Sequence, residues 1–317
     1  MTVLIFGKDG QVGLELKNVL QEQGNLIYLG RQDCDLCNMD ALQDVLKQYQ
    51  PQIIINASAY TAVDRAQDEQ ALAFAINARA PEIMANFIAS QSNGLLIHYS
   101  TDYVFGDRKQ TSYQEDDETG PETQLGIYGQ SKLAGERAII DAFEAPQLTS
   151  TYYILRTSWV YGDGGNFIKT MLRLAGERDR LSVVADQFGA PTSALFLARL
   201  AKTLLVKHQQ SPRSSQSGIY HAVPHGYTSW YGLAQLVIGL IQGMKTPTRV
   251  TLENVLPIPA TDYPLPVPRP YNSRLCNKKL ANYLAVINAE NSSSLQLQHW
   301  QTEVAAYVHQ YAELIKQ

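Results

Sequence analysis

The chain has 317 residues, 45% of them apolar and 18% charged, with 21 glycines and 14 prolines. That is the composition of one large α/β unit or two domains and excludes disordered, collagen-like and coiled-coil chains. With 26 basic against 30 acidic side chains, a net charge of −4 and three cysteines, no positive field draws a nucleic acid and no disulfide framework is available, so a reducing, cytoplasmic setting is expected.

The run Val3-Leu4-Ile5-Phe6 predicts a first strand at the very start, leaving no room ahead of it for a signal peptide. Gly7-Lys8-Asp9-Gly10-Gln11-Val12-Gly13 follows at once, then helical periodicity at Val12, Leu16, Val19 and Leu20 with Gly24 as the stop. Glycines at Gly7, Gly10 and Gly13 between a strand and a helix suit a dinucleotide. The turn needs unusual dihedrals, the backbone must approach a pyrophosphate closely, and the helix must pack tightly on its strand. The free N–H groups of the helix start then face the phosphates. A second strand, Leu26 to Leu29, ends in Gly30-Arg31, where an NAD-binding chain would usually carry an acid for the adenosine ribose. A guanidinium there pairs with the extra 2′-phosphate, so NADPH is the expected cofactor and NADH the less preferred one. Cys34-Asp35-Leu36-Cys37 has only Cys276 as a further thiol, and the six histidines show no ligand spacing; these cysteines read as structural, and no metal site is expected.

A third strand, Ile53 to Ile55, runs into Asn56-Ala57-Ser58-Ala59-Tyr60-Thr61, and Ala71 to Ile88 reads as a helix with Pro81 inside it. The fourth strand, Leu95 to Tyr99, continues as Ser100-Thr101-Asp102-Tyr103, and Tyr152 to Leu155 is the fifth. This alternation predicts βαβ units and a Rossmann-type, doubly wound parallel sheet. Ligands bind outside the carboxyl ends of such strands, so the Thr101 hydroxyl should share a crevice with the glycine loop. Tyr128 and Lys132, four residues apart at the start of the next helix, lie on one face. An ammonium beside a phenol lowers its high pKa and makes it a usable general acid. His98 reads as a packed residue.

After residues 162–165 the chain predicts a helix from Phe167 to Ala175, a strand from Leu181 to Ala185 and a helix from Leu195 to Val206. Ile219 to Val223 alternates like a strand, and prolines between Pro257 and Pro270 forbid helix interior or central strand. An amphipathic helix covers Val304 to Ile315, and no apolar run reaches the ~20 residues that span a bilayer. The expected division places 1–163 and 190–224 in an NAD(P)-binding domain, with 164–189 and 225–317 in a smaller C-terminal substrate-binding domain.

Taken in order, the glycine loop, NASAYTAVDRA, HYSTDYVF, YGQSKLAGE, RTSWVYG, DQFGAPT and RPYNSRL resemble the extended short-chain dehydrogenases/reductases over nearly the whole chain. The more specific segments resemble the dTDP-4-dehydrorhamnose reductase family among them. The resemblance implies reduction of the 4-keto group of dTDP-4-dehydro-β-L-rhamnose. Residue by residue it implies Tyr128 as proton donor, Lys132 as its partner and ribose contact, and Thr101 as the hydroxyl that orients the carbonyl. It also implies Gly10, Gln11 and Val12 at the pyrophosphate, Asp35 and Leu36 at the adenine, and Ala59, Tyr60, Thr61 and Tyr99 as a cofactor wall. Asp102 and Trp159 would touch the deoxysugar, Asn166 and Arg269 the nucleotide diphosphate. Some relatives are described as magnesium-linked dimers using glutamates; Glu15 is present, but Leu195 stands where a second acid would be needed, so a homodimer is left open and a metal bridge is not expected. Nucleotide-sugar dehydratases place an Asp-Glu pair after the threonine, whereas Asp102-Tyr103 stands here. A 4-ketoreductase or epimerase acting on another sugar is an alternative. So is a non-catalytic subunit resembling the β subunit of methionine adenosyltransferase.

Overall fold

Ile53-Ile54-Ile55-Asn56 and Leu95–Thr101 expose no side chain at any position, as strands covered on both faces do. The computed structural model describes residues 1–315 except positions 22, 146–148, 245–246 and 292–294. It sets those two segments at the middle of a parallel sheet. The sheet consists of β1 (Thr2–Phe6), β2 (Asn25–Leu29), β3 (Ile53–Asn56), β4 (Leu95–Thr101), β5 (Thr151–Thr157) and β6 (Gly218–His221). Their order is β6-β5-β4-β3-β1-β2. All five expected strands are present, and the alternating segment near Ile219 adds a sixth beside β5. The strand order reverses between β1 and β3, which opens a crevice at their carboxyl ends.

The helices are α1 (Gln11–Val19), α2 (Met39–Tyr49), α3 (Ala80–Ala89), α4 (Ile127–Ala142), α5 (Phe167–Glu177), α6 (Ala194–Gln210), α7 (Trp230–Gly243), α8 (Lys278–Asn291) and α9 (Trp300–Ile315). On one face of the sheet, Leu16 of α1, the capping Leu20 and Phe196, Leu197 and Leu200 of α6 bury against Val3, Ile5 and Ile55. On the other face Leu42, Leu46, Met84, Ile88 and Ile139 of α2, α3 and α4 bury against Leu4, Ile54 and Leu96. Covering both faces in this way makes the sheet doubly wound.

The helix expected over residues 71–88 is broken. Gln70–Phe74 is a short α-helix, Ala75–Arg79 is a π-helical turn, and α3 begins with Pro81 in its first turn. Proline lacks an N–H and its ring clashes with a carbonyl four residues back, so the wider turn ahead of it resolves the conflict. That turn also aims the buried Asn77, which bonds the backbone of Tyr60 at 2.8 and 3.0 Å and the Ser131 hydroxyl at 3.0 Å.

A second core forms where α5, α7 and α9 enclose Ile168, Leu172, Val237, Ile241, Trp300 and Val304. Beside it Leu181–Val184 pairs in parallel with Val255–Ile258, and Pro257 is accommodated because a two-stranded sheet has only edges. The two cores do not follow the expected division at every element, since Tyr161 from its first part buries in the second core. Helix α8 returns to the central sheet, where Leu280, Tyr283, Leu284 and Ile287 bury against Tyr153 and Tyr220. Its amphipathic face is indistinguishable in sequence from one serving the second core. Among the described residues no helix is long and apolar enough to cross a membrane.

Candidate active site

Gly7 leaves β1 with φ of 88°, and a Cβ on it would stand 2.7 Å from the Ala57 backbone at the end of β3. A side chain is excluded there on both counts. A Cβ on Gly13 would lie 1.9 Å from the Gly7 carbonyl oxygen, so the third glycine lets α1 press onto the loop. Helix α1 has no side-chain cap at Gly10 and no acid in its first turn, leaving its first N–H groups free for an anion. The side-chain oxygen of Gln11 is buried there without a hydrogen-bond partner among the described residues. Beside this loop lies a cavity of about 580 Å³ lined by Gly7, Gly10, Arg31, Asp35, Leu36, Ala59, Tyr60 and Thr61. These features fit a dinucleotide. Gly13→Ala is expected to weaken NADPH binding at least about tenfold, ~1.4 kcal/mol; an unchanged Kd by fluorescence titration would count against the loop's role.

The same cavity contains residues that the sequence reading passed over: Arg65, Glu69, Leu72 and Ile76. They come from the turns and the short helix after β3, and the Tyr60 hydroxyl donates to Glu69 Oε2 at 2.7 Å across that wall. No spacing rule signals such residues. Tyr99 is a correction. Its ring lies in the core shared with α6 and its hydroxyl donates to the Leu197 carbonyl at 3.0 Å, so only its backbone faces the site. Strand alternation dictates this, since Ile97 and Tyr99 share a face. Arg31 sits at the rim with its side chain 76% exposed, 3.7 Å from the Asp35 carboxylate.

Thr101 ends β4, and Tyr128 opens α4. Burial pushes the Tyr128 phenol up to about 12, and the facing Thr101 hydroxyl pulls it back. Its ring meets the edge of Tyr103 at 5.3 Å. The expected lowering of this phenol by Lys132 is corrected: Lys132 Nζ turns to β4 instead, donating to the Tyr99 carbonyl at 2.7 Å and meeting His98 Nε2 at 3.0 Å. Burial, partly opposed by Glu136, brings Lys132 down to about 8. Asp102 is buried too, its carboxyl pushed up to about 7 by desolvation and bonded to the Thr101 hydroxyl at 3.2 Å.

Tyr128, Tyr103 and Arg269 line a small cavity of about 110 Å³. Tyr103 and Arg269 also line a larger one of about 420 Å³, together with Trp159, Phe167, Gln187 and Trp230. Trp159 is held at φ of 48°, its ring stacked on Trp230 at 3.6 Å. A Cβ on Gly189 would approach that ring to 2.5 Å. Trp230 escaped the sequence reading; its only signal was an aromatic following a capping serine, Ser229. Arg269 lines both cavities and is bonded to Asp64 at 2.7 Å. Asn166 is a further correction. It caps α5 through the Lys169 N–H at 3.0 Å, and its amide donates to the Gly162 carbonyl at 2.8 Å and the Tyr307 hydroxyl at 2.9 Å. Nothing in it is left for a diphosphate. Among the described residues no cluster of three His, Cys, Asp or Glu could hold a metal ion.

A glycine loop at the strand-order reversal, with tyrosine and lysine one helical turn apart beside a strand-end threonine, defines an NAD(P)-binding short-chain dehydrogenase/reductase. Residues 1–313 match the model of the RmlD substrate binding domain family. The chain is 41% identical over 292 residues to the dTDP-4-dehydrorhamnose reductase of Escherichia coli strain K12, covering 90% of this chain and 93% of that one. It is 37% identical over 303 residues to that of Sinorhizobium fredii, covering 95% and 94%. Among solved structures, the Clostridium acetobutylicum enzyme of that name superposes with a TM-score of 0.80 at 31% identity, covering all of both chains. That of Bacillus anthracis, in complex with NADP, gives 0.76 at 31% identity over 97% and 98%. The chain belongs to the dTDP-4-dehydrorhamnose reductase family.

Proposed function

We propose that this protein reduces the 4-keto group of dTDP-4-dehydro-β-L-rhamnose to give dTDP-β-L-rhamnose, using NADPH. The observation that carries the reading is that Tyr128 and Thr101 meet at the carboxyl end of β4, where Lys132 docks, and that Tyr128 lines a cavity with Tyr103 and Arg269. The glycine loop and the segment after β3 would hold the cofactor, whose reduced nicotinamide would supply the hydride for the keto carbon. Tyr128, protonated throughout the neutral range, donates the proton that the developing alkoxide needs. Thr101 holds the phenol and the carbonyl oxygen in line, and Asp102 anchors Thr101. Arg269 is the cation available to a diphosphate, and the Trp159–Trp230 stack offers an apolar wall for the sugar and base. Residues 1–163 and 190–224, joined by α8, would bind the cofactor and the remainder the nucleotide sugar. Three free cysteines accord with a cytoplasmic setting.

The test is loss of NADPH absorbance in the presence of dTDP-4-dehydro-β-L-rhamnose made in a coupled reaction. Substrate-dependent oxidation is expected; no oxidation despite cofactor binding would turn the reading toward another sugar or a regulatory subunit. Arg31→Ala should raise KM for NADPH about tenfold with little change for NADH, because only the former carries the 2′-phosphate. Equal effects on both would remove Arg31 from cofactor discrimination.

A further inference from the structure

Behind Lys132 lies a chain of buried polar groups that the proposed reaction does not use. Asn56, at the end of β3, is fully buried, and His98 and Lys132 are each 1% exposed. Asn56 Nδ2 lies 3.1 Å from His98 Nδ1, and His98 Nε2 lies 3.0 Å from Lys132 Nζ. The orientation of the Asn56 amide is not free. Its Oδ1 accepts the Ser58 backbone N–H at 3.1 Å, and a backbone N–H can only donate. The amide therefore presents its NH₂ to His98, whose Nδ1 must accept. A neutral imidazole with an accepting Nδ1 carries its proton on Nε2, which points at Lys132. An ammonium has no lone pair with which to receive it; a neutral amine has one, and can still donate to the Tyr99 carbonyl at 2.7 Å.

We infer that Asn56 and His98 form a tautomer lock that docks Lys132 on β4 as a neutral amine, so that protonating Lys132 breaks the contact and frees it to turn toward Tyr128. The inference rests on the reading of Lys132 as the partner of Tyr128. It accounts for the lysine turning inward to β4 in the structure. A proton arriving from the crevice occupies the Nζ lone pair. The His98 N–H then faces an N–H, and the pair separates unless the Asn56 amide gives up Ser58. His98 is thus a positioning residue. The titratable and charged groups around the lysine agree with this. On α4, Glu136 favours the ammonium but is already bonded to Arg156 of β5 at 2.6 Å and to the Ser100 hydroxyl of β4 at 2.5 Å. Tyr128 and Asp102 lie toward Thr101 at the end of β4, and from β3 the Asn56 amide reaches His98. Burial holds the imidazole itself neutral.

Long-range 15N–1H NMR on histidine-labelled protein, with the His98 signals assigned from His98→Gln, reads the tautomer directly at pH 9. The expected pattern is a protonated Nε2 and an unprotonated Nδ1; a protonated Nδ1 would overturn the inference, whatever substrate the enzyme takes. The second readout is the pH dependence of NADPH oxidation. In His98→Gln the side-chain carbonyl can accept from an ammonium, so the basic limb should move up by about one pKa unit and the pH 9 to pH 7 ratio of kcat/KM rise about fivefold. In Asn56→Asp the carboxylate turns the His98 proton to Nδ1 and should move the limb the same way, which serves should the glutamine variant fail to fold. A limb that stays in place while the rate merely falls would assign both residues a packing role only. Loss of activity with every sugar tried, alongside the expected tautomer, would count against the proposed substrate and leave the lock standing.

Discussion

Tyr128→Phe is expected to lower kcat by about 10²–10⁴-fold while leaving the Kd for NADPH within about twofold, as removal of a general acid should. The physical case is specific. The phenol is the hydroxyl that Thr101 faces, and burial keeps its proton on across the neutral range. Removing one oxygen opens no cavity, and the ring retains its contact with Tyr103 at 5.3 Å. Stopped-flow oxidation of NADPH with a separate binding titration distinguishes the two effects. A variant that keeps more than about a tenth of wild-type kcat would move the proton source elsewhere, and the buried Asp102, with a carboxyl near pH 7, would be the next group to examine.

Glu136→Ala is expected to cost about 3–5 kcal/mol of stability, a large share of the roughly 5–15 kcal/mol typical of a folded domain. The carboxylate, 1% exposed, accepts from Arg156 Nη2 at 2.6 Å and Nε at 3.0 Å, and from Ser100 at 2.5 Å. Arg156 is itself only 3% exposed, over the Phe105 ring at 4.9 Å. Truncating the acid strands a buried guanidinium, and that desolvated charge is the source of the loss. Replacing both partners, as in Glu136→Ala with Arg156→Met, should therefore recover much of it. Urea midpoints of the two variants decide the matter: a double variant no better than the single one would mean that packing, and not the stranded charge, sets the cost.

Much of the site was legible in the chain because it is built from local devices. The glycine loop is a continuous segment whose dihedrals and close contacts admit little else, and Tyr128 and Lys132 share a helix face by spacing alone. The strand-end threonine follows from the rule that parallel sheets bind at their carboxyl edge. Errors arose where a side chain's partner lay far along the chain. Asn166 looked free until Tyr307 met it from α9. Tyr99 stands near the crevice end of β4, yet its neighbour α6 draws its ring to the opposite face. Arg65 carries no signal and Trp230 only an aromatic after a capping serine, since each reaches its cavity through what folding sets beside it.

The sequence by itself determined a doubly wound α/β chain with a dinucleotide loop and a tyrosine–lysine pair, because backbone dihedrals, strand patterning and helical spacing act over a few residues. Only the tertiary structure decided which way Lys132 points, that α8 returns to the sheet, and that Trp159 rests on Gly189 and Trp230. Those outcomes depend on contacts between segments many residues apart and on burial that sets the cost of charge, and neither is encoded in any one window of the chain.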